Sequence, residues 1–288
     1  MLKSQSGYMT SSVALLCTVL WCSAAVAQTQ ADKDSTSGFQ EPQDVEFIAK
    51  HDQTPQRYVL LLPSKFDDKQ SHDLLIALHG HGSDRWQFVQ QARPECSELR
   101  RIAADKQMIF VSPDYRAKTS WMGPAAEADL LQILESLRGK YRLRHIIISG
   151  GSMGGTSALA FAALHPDQVR GVVALNGTAN MIDYEMFQDA IQASYGGTKQ
   201  EKPDVYRSRS AEFFPDRFTM PVAVTTGGQD TLVPPDSVLR LVEQLKKQNR
   251  PVLSIHRPTG GHDTNAEDTS AALNFVLDSL SSKPAPNN

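Results

Sequence analysis

From residue 74 onward, short apolar runs bounded by glycine or proline alternate with longer stretches in which apolar residues recur at helical spacing. The short runs contain almost no polar positions, which indicates strands that are buried on both faces. This alternation is typical of an α/β fold in which a mainly parallel sheet carries helices on both sides. The predicted strands cover residues 74–78, 108–111, 145–149, 169–175, 222–226 and 252–256.

The stretches between these runs predict helices. One of them, 125–137, shows its buried face at Leu130, Leu134 and Leu137, which are four and then three residues apart as on one side of a helix. Two earlier apolar runs, 45–49 and 58–62, flank a polar turn and predict an antiparallel hairpin. The hairpin brings the expected sheet to about eight strands. The predicted helices cover residues 85–105, 125–137, 153–165, 237–248 and 266–280.

Residues 176–221 interrupt the alternation. A loop of this length without structure of its own is uncommon in a compact domain. The segment therefore predicts a small cap-like insertion that contains helix. Its aromatic residues either line a pocket or fix the cap to the body of the domain; they are Tyr184, Phe187, Tyr195, Phe213 and Phe214.

The N-terminal residues stand apart from this pattern. Lys3, the apolar run 13–21 and the small residues Ala25 to Ala27 match a secretory signal peptide, so 1–27 is interpreted as a cleaved signal. The run is short for a membrane span, although an uncleaved anchor is the alternative. We therefore expect a secreted or periplasmic protein without stable membrane insertion after cleavage. Residues 28–44 are polar and predict a flexible leader, which leaves 45–282 as the folded domain.

Charge and cysteine content narrow the possible partners. The chain has 29 Lys and Arg against 32 Asp and Glu, a formal net charge of -3 at pH 7. The basic residues are scattered, which disfavours a nucleic-acid partner. Two of the three cysteines, Cys17 and Cys22, fall in the predicted signal peptide. Cys96 is then alone in the mature chain, and we interpret it as a buried structural thiol.

The strongest chemical signal is the sequence Gly150-Gly-Ser152-Met-Gly154-Gly, which follows a predicted strand and precedes an alanine-rich predicted helix. A G-x-S-x-G pattern in this context indicates a turn so tight that the serine adopts a strained backbone and only small neighbours fit. The turn exposes the hydroxyl of Ser152. We therefore interpret Ser152 as a nucleophile.

A serine nucleophile needs a general base and a group that orients the base. His262 lies in a glycine-containing loop after the last predicted strand, where the active sites of such sheets are found. Asp230 follows the preceding strand and is the predicted acid. Asp236 is interpreted instead as the N-cap of the next helix, and Asp263 adjoins the histidine too closely to reach its ring. The predicted triad is therefore Ser152, His262 and Asp230.

An oxyanion intermediate needs two preorganised N–H donors. The backbone of Met153, directly after the nucleophile, is one candidate. The turn His79-Gly-His81-Gly82 after the third predicted strand supplies the other. We predict the N–H of His81, with Gly82 as the next choice, and interpret His79 as a support of the turn.

Trp121 follows the fourth predicted strand near the same edge of the sheet. An exposed indole there could stack on an aromatic acyl group or on a sugar. The alternative is a tryptophan that anchors its loop against the core. Trp121 is therefore a candidate substrate-binding residue.

In their order along the chain, these motifs resemble the α/β-hydrolase superfamily, in which the serine, the acid and the histidine follow one another in this sequence. The resemblance covers residues 45–280. It looks strongest to the branch that holds dienelactone hydrolases, feruloyl and acetyl esterases, and the catalytic domains of prolyl oligopeptidases. It implies a two-step acyl transfer, and for a small secreted protein it implies an esterase. The motifs are His79-Gly-His-Gly, Gly-Gly-Ser152-Met-Gly-Gly, Gly-Gly-Gln-Asp230 and Gly-Gly-His262.

Three alternatives remain from the sequence. A serine peptidase of the prolyl oligopeptidase type would use the same triad, and a binding protein on this fold would turn nothing over. A metal-dependent hydrolase could use His79, His81 and Asp84 as a half-site, but no second cluster of metal-binding residues accompanies them. We expect no metal and no cofactor. The expected partner is a small-molecule or polysaccharide-linked ester.

Overall fold

The computed structural model describes residues 36–282. Within this range, eight strands form one sheet in the order β1-β2-β4-β3-β5-β6-β7-β8. The pairs β1–β2 and β2–β4 are antiparallel, and the other neighbours are parallel. The predicted mainly parallel sheet is confirmed. The strands are β1 Gln43–Ile48, β2 Pro55–Leu61, β3 His72–Leu78, β4 Ile109–Pro113, β5 Leu143–Gly151, β6 Gly171–Leu175, β7 Val222–Gly227 and β8 Val252–Arg257.

The apolar character of the central strands follows from cores on both faces of the sheet. Along β3, the side chains of Leu74, Ile76 and Leu78 enter one core. Those of Leu75 and Ala77 enter the other. Successive side chains of a strand point to opposite faces, so a strand covered on both sides buries apolar side chains at successive positions.

The helices cover the two faces. One face carries α3 (Pro124–Lys140), α4 (Met153–Leu164) and α7 (Asp236–Lys247). These helices pack on it through residues such as Leu134, Phe161 and Leu241. Helices α2 and α8 pack on the other through Leu99 and Leu273. The helices are α1 Gln87–Gln90, α2 Pro94–Asp105, α3 Pro124–Lys140, α4 Met153–Leu164, α5 Gln188–Tyr195, α6 Pro203–Ser208, α7 Asp236–Lys247 and α8 Ala266–Ser281.

The prediction of one continuous helix over residues 85–105 is wrong. The structure divides it into α1 and α2, which begins at Pro94. A proline disfavours helical backbone in the residue before it. Arg93 accordingly has φ -59° and ψ 143°, an extended conformation that precedes the second helix. The first helix already ends at Gln90, and Gln91 after it is also extended, with φ -70° and ψ 138°. Pro94 itself starts α2, where its missing N–H has no cost.

Residues 176–221 contain the helices α5 and α6 and two short 3-10 turns. Four aromatic side chains of this segment are buried in the core on the side of α4, namely Tyr184, Tyr195, Tyr206 and Phe218. Tyr195 and Tyr206 are buried and meet edge to face, with ring centroids 4.8 Å apart. Most of the aromatic residues of this cap thus anchor it to the rest of the domain. Phe187 instead lines the cavity over Ser152.

The predicted flexible leader, 28–44, ends too late. Phe39 forms a bridge with Pro63, and its ring lies 6.1 Å from that of Phe110. Strand β1 begins at Gln43. Backbone hydrogen bonds from Gln40 to Leu62 and from Ser64 to Gly38, 2.8 and 2.9 Å long, also hold this segment against the domain. Residues 28–35 and the predicted signal peptide 1–27 lie outside the described residues.

The structure of residues 36–282 also bears on the cysteine and on membrane crossing. Cys96 in α2 is fully buried, and this burial raises the pKa of its thiol to about 12, so the thiol is protonated at neutral pH. Between residues 36 and 282, no helix combines the length and the apolar character that a membrane crossing requires.

Candidate active site

Ser152 lies between the end of β5 and the first turn of α4, which is the tight turn that the sequence predicts. Its backbone has φ 57° and ψ -120°, a combination that costs a non-glycine residue free energy and persists only where its surroundings hold it. Part of that support is a hydrogen bond from the Ser152 N–H to the carbonyl of Leu175 at the end of β6, 2.8 Å long. The hydroxyl is thereby presented beyond the C-terminal edge of the sheet.

The glycines around Ser152 are required by close backbone approach. A Cβ on Gly154 would lie 1.9 Å from the carbonyl oxygen of Leu78 in β3, and one on Gly150 would lie 2.5 Å from the backbone of Gly154. Helix α4 can therefore start directly against the sheet only without side chains at these positions.

Replacing Gly154 by alanine is expected to destabilise the protein by about 3 kcal/mol or more, because neither the Leu78 carbonyl nor the helix can move away cheaply. Urea unfolding measures the change. The matched control is Gly139→Ala in α3, where an added Cβ meets no atom within 4 Å and alanine should be up to about 1 kcal/mol better than glycine in a helix. An unchanged unfolding midpoint for Gly154→Ala would contradict the packing argument.

The structure brings the three residues of the predicted triad into one hydrogen-bonded chain. His262 Nε2 lies 2.8 Å from Ser152 Oγ, and His262 Nδ1 lies 2.6 Å from Asp230 Oδ2. Asp230 is buried, whereas the imidazole keeps part of its surface open. With the carboxylate accepting from Nδ1, the proton of a neutral imidazole sits on Nδ1 and Nε2 is free to accept from the hydroxyl.

Two loops meet to hold this chain together. The acid loop, residues 228–235, carries Asp230, and the histidine loop, residues 258–265, carries His262. A Cβ on Gly227 at the end of β7 would lie 2.2 Å from the carbonyl of Gly261, so glycine is needed where the two loops meet. The other oxygen of Asp230, Oδ1, accepts from the N–H groups of Leu232 and Val233 at 3.0 and 2.8 Å. These bonds fix the carboxylate and leave Oδ2 for the histidine.

The two competing aspartates lie apart from the chain of hydrogen bonds. Asp236 is exposed and is the first residue of α7. Its interpretation as the N-cap is wrong by one position, since Pro235 occupies the cap and neither residue forms a side-chain cap bond. Asp263 is exposed and borders the open space over Ser152, and His262 Nδ1 is bonded to Asp230 instead.

The turn His79 to Ser83 lies beside Ser152. An added Cβ on Gly80 would lie 3.8 Å from the Cβ of Ser152. The Gly82 N–H, the second choice from the sequence, is bonded to the carbonyl of Lys118 at 2.9 Å. Among residues 36–282, the N–H groups of His81 and Met153 have no hydrogen-bond acceptor. Both predicted oxyanion donors therefore remain available.

His79 supports this turn from below. Its ring is fully buried, with Nδ1 2.8 Å from the carbonyl of Gly80 and Nε2 3.0 Å from that of Asp114. Burial lowers the pKa of this imidazole, against the opposing effect of the two carbonyls. Because both ring nitrogens face carbonyl oxygens, the metal half-site of His79, His81 and Asp84 is not assembled. Residues 36–282 contain no group of three His, Cys, Asp or Glu side chains placed to hold a metal ion.

The interpretation of Trp121 as an exposed substrate-binding residue is wrong. Its side chain is fully buried. The indole Nε1 donates to His81 Nδ1 at 3.1 Å, and the ring packs against Tyr184 and Phe187 with centroids 5.3 and 5.5 Å away. The indole N–H can only donate, so it requires an unprotonated Nδ1 in His81, and burial likewise lowers the pKa of this histidine. Trp121 anchors its own loop and the turn from His79 to Ser83.

A cavity of about 370 Å³ opens over Ser152 and His262. One wall is apolar and includes Phe187 from the cap and Leu232 from the acid loop. The lining also includes a polar wall, to which the break between α1 and α2 contributes; its residues are Gln87, Gln91, Arg93 and Glu95. The sequence does not predict this polar wall, and its one local signal is Pro94, which interrupts the predicted helix 85–105.

The fold and this site define the class of protein. A serine on a strained strand-to-helix turn, at the edge of a mainly parallel sheet of eight strands, is the arrangement of a serine hydrolase with the α/β-hydrolase fold. The chain belongs to the prolyl oligopeptidase family, whose sequence profile matches residues 101–282.

Solved structures show the same fold at low sequence identity. The fluorophosphonate-binding serine hydrolase F of Staphylococcus aureus is 16% identical, with a TM-score of 0.65 over 84% of this chain and 98% of its own. A ferulic acid esterase is 19% identical, with a TM-score of 0.64 over 84% and 98%. The acylaminoacyl peptidase of Pyrococcus horikoshii is 15% identical, with a TM-score of 0.65 over 88% of this chain but 43% of its own.

Among curated proteins, the chain resembles a 1-acylglycerol-3-phosphate O-acyltransferase of Arabidopsis thaliana. The two are 28% identical over 110 residues, which is 38% of this chain and 26% of the relative. The chain thus spans about a quarter of the length of the curated relative that it matches.

Proposed function

We propose that this protein is a carboxylic ester hydrolase that acts through Ser152, His262 and Asp230. The observation that carries the proposal is the continuous chain of hydrogen bonds from Asp230 through His262 to Ser152, with contacts of 2.6 and 2.8 Å, beneath an open cavity. A serine hydroxyl, a base and an orienting acid within hydrogen-bond distance are the requirements for nucleophilic catalysis by serine.

In the proposed mechanism, Ser152 Oγ bonds to the carbonyl carbon of the ester while its proton passes to His262 Nε2. The carbonyl oxygen becomes an oxyanion, which the N–H groups of His81 and Met153 stabilise. When the bond to the alcohol breaks, His262 returns the proton to the leaving oxygen. Water then attacks the acyl-enzyme and gives a proton to His262, and Ser152 leaves with that proton as the acid is released.

The preference for esters over peptides is supported by the two solved hydrolases that this chain covers almost end to end, one of which is an esterase. The expected substrate is a small-molecule ester or an ester group on a polysaccharide, and the cavity offers it both apolar lining at Phe187 and polar lining at Gln87. A peptidase of the oligopeptidase type is the second candidate, and membership of that family favours it.

The experiment is hydrolysis of short-chain and aromatic p-nitrophenyl esters by the purified protein, beside aminoacyl p-nitroanilides, with labelling by a fluorophosphonate. The proposal expects ester turnover, a burst of p-nitrophenol and covalent labelling at Ser152. Faster turnover of the anilides than of the esters would favour the peptidase. Folded protein that neither turns over nor takes up the label would overturn a catalytic role and favour a binding protein on this fold.

We also propose that the protein is exported, on the grounds of the sequence alone. The support is the basic start, apolar run and small-x-small site within residues 1–27. A mature N-terminus at Gln28 in the exported fraction is the expected observation, and an intact Met1 in that fraction would contradict it.

A further inference from the structure

Asn176 occupies a special position next to the active site. It directly follows β6, borders the cavity over Ser152 and is buried. Its backbone is in the left-handed region, with φ 48°, which asparagine tolerates better than most residues. Its N–H continues the sheet through a hydrogen bond of 3.0 Å to the carbonyl of Thr225 in β7. The backbone therefore aims the side chain at the loop that follows β8.

The side-chain amide contacts the two carbonyl groups that flank His262 in sequence. Asn176 Nδ2 donates to the carbonyl of Asp263 at 2.9 Å and, more weakly, to that of Gly261 at 3.4 Å. Elsewhere on the loop, the Gly260 carbonyl accepts from the N–H of Gln229 at 2.9 Å. The side-chain amide of Asn176 thus bonds to the backbone carbonyls on both sides of His262.

Two buried threonines fix the orientation of this amide. Asn176 Oδ1 lies 2.8 Å from Thr225 Oγ1 and 3.1 Å from Thr264 Oγ1. The two hydroxyls lie 2.9 Å from each other. Backbone carbonyls only accept, so the NH₂ group must face the loop and the oxygen must face the threonines. A carboxylate of the same shape would place an acceptor against two carbonyl oxygens.

We propose that Asn176 is a positioning residue for His262. It holds the carbonyls on both sides of the histidine and so keeps Nε2 at 2.8 Å from Ser152 Oγ. The inference rests on the proposed function, in which this contact transfers the proton. A misplacement of about 1 Å of a catalytic group can cost about 10²-fold in rate, so loss of the amide should have a large kinetic effect through the position of His262.

The test compares Asn176→Gly, which keeps the left-handed backbone and removes the amide, with Asn176→Asp, which keeps the shape and removes the donor. Both are expected to lower kcat on a p-nitrophenyl ester by about 10²-fold with little change in KM. Labelling by the fluorophosphonate should slow to a similar degree. Thermal unfolding shows whether each variant is folded at the assay temperature.

The matched control is Asn249→Gly. Asn249 also has a left-handed backbone, with φ 52°, but it is exposed just beyond α7. It should retain wild-type kcat and KM. A raised KM with unchanged kcat in the Asn176 variants would overturn the inference in favour of substrate binding. Wild-type kcat in Asn176→Asp would also overturn it, because shape alone would then be sufficient.

Failure of this inference and failure of the proposed function give different results. Wild-type protein that is not labelled at Ser152 contradicts the proposed function. Wild-type protein that is labelled, together with Asn176 variants that are labelled equally fast, leaves the proposed function standing and overturns the role of Asn176.

Discussion

Replacing Ser152 by alanine is expected to lower kcat on an ester substrate by about 10⁴-fold or more, since the acyl-enzyme can no longer form. Alanine also carries a Cβ, so it meets the same backbone strain at φ 57° that serine meets. The folded structure should therefore persist. Initial rates with a p-nitrophenyl ester and covalent labelling by a fluorophosphonate measure the loss, and both signals should disappear together.

Ser83→Ala is the matched control for this change. Ser83 lines the same cavity but is not part of the chain of hydrogen bonds from Asp230 to Ser152. It should keep the turnover within a few-fold of wild type and the label unchanged. If Ser152→Ala remained active or Ser83→Ala lost the label, the nucleophile would have to be assigned to another residue.

Replacing Asp230 by asparagine is expected to lower kcat by about 10⁴-fold with little change in KM. The asparagine oxygen can still accept from Leu232 and Val233, which keeps the loop in place. Its NH₂ group then faces His262 Nδ1, where the structure has an acceptor at 2.6 Å. The imidazole would accept at Nδ1 and carry its proton on Nε2, which can no longer take the proton of Ser152.

The comparison variant is Asp236→Asn, an exposed position at the start of α7. Its kcat should be that of wild type, and its stability should change by less than about 1 kcal/mol, because only a helix N-terminal charge is removed. Steady-state kinetics and urea unfolding of both variants provide the measurement. Equal activity of Asp230→Asn and Asp236→Asn would remove Asp230 from the mechanism.

The three residues of the triad could be predicted from the sequence more fully than the second oxyanion donor. Ser152 is defined by its immediate neighbours, since a turn that needs Gly150 and Gly154 leaves a local signature. Asp230 and His262 lie in loops directly after predicted strands, and the strand order of the sheet brings those loops together. The structure places all three in contact. Assigning them therefore required only local patterns and the topology of the fold.

The second oxyanion donor shows where such reasoning stops. From the sequence, the N–H of His81 is the predicted donor and that of Gly82, in the same turn, is the next choice. Only the tertiary structure distinguishes them, because the carbonyl that occupies the Gly82 N–H belongs to Lys118 in another loop. Trp121 lies in the same loop and is buried. Its burial could not be predicted from the sequence, because the residues around it form no helix or strand whose periodicity would show which side chains face the core.

The sequence by itself determined the order of strands and helices, the parallel character of the sheet and the position of the strained serine. These properties depend on the spacing of apolar residues and on steric limits between adjacent residues, and both are local features of the sequence. Only the tertiary structure decided the burial of Trp121, the polar wall near Arg93 and the contacts of Asn176 with the histidine loop. Those properties are hydrogen bonds and packing between segments that are distant in sequence, and no local pattern of side chains specifies them.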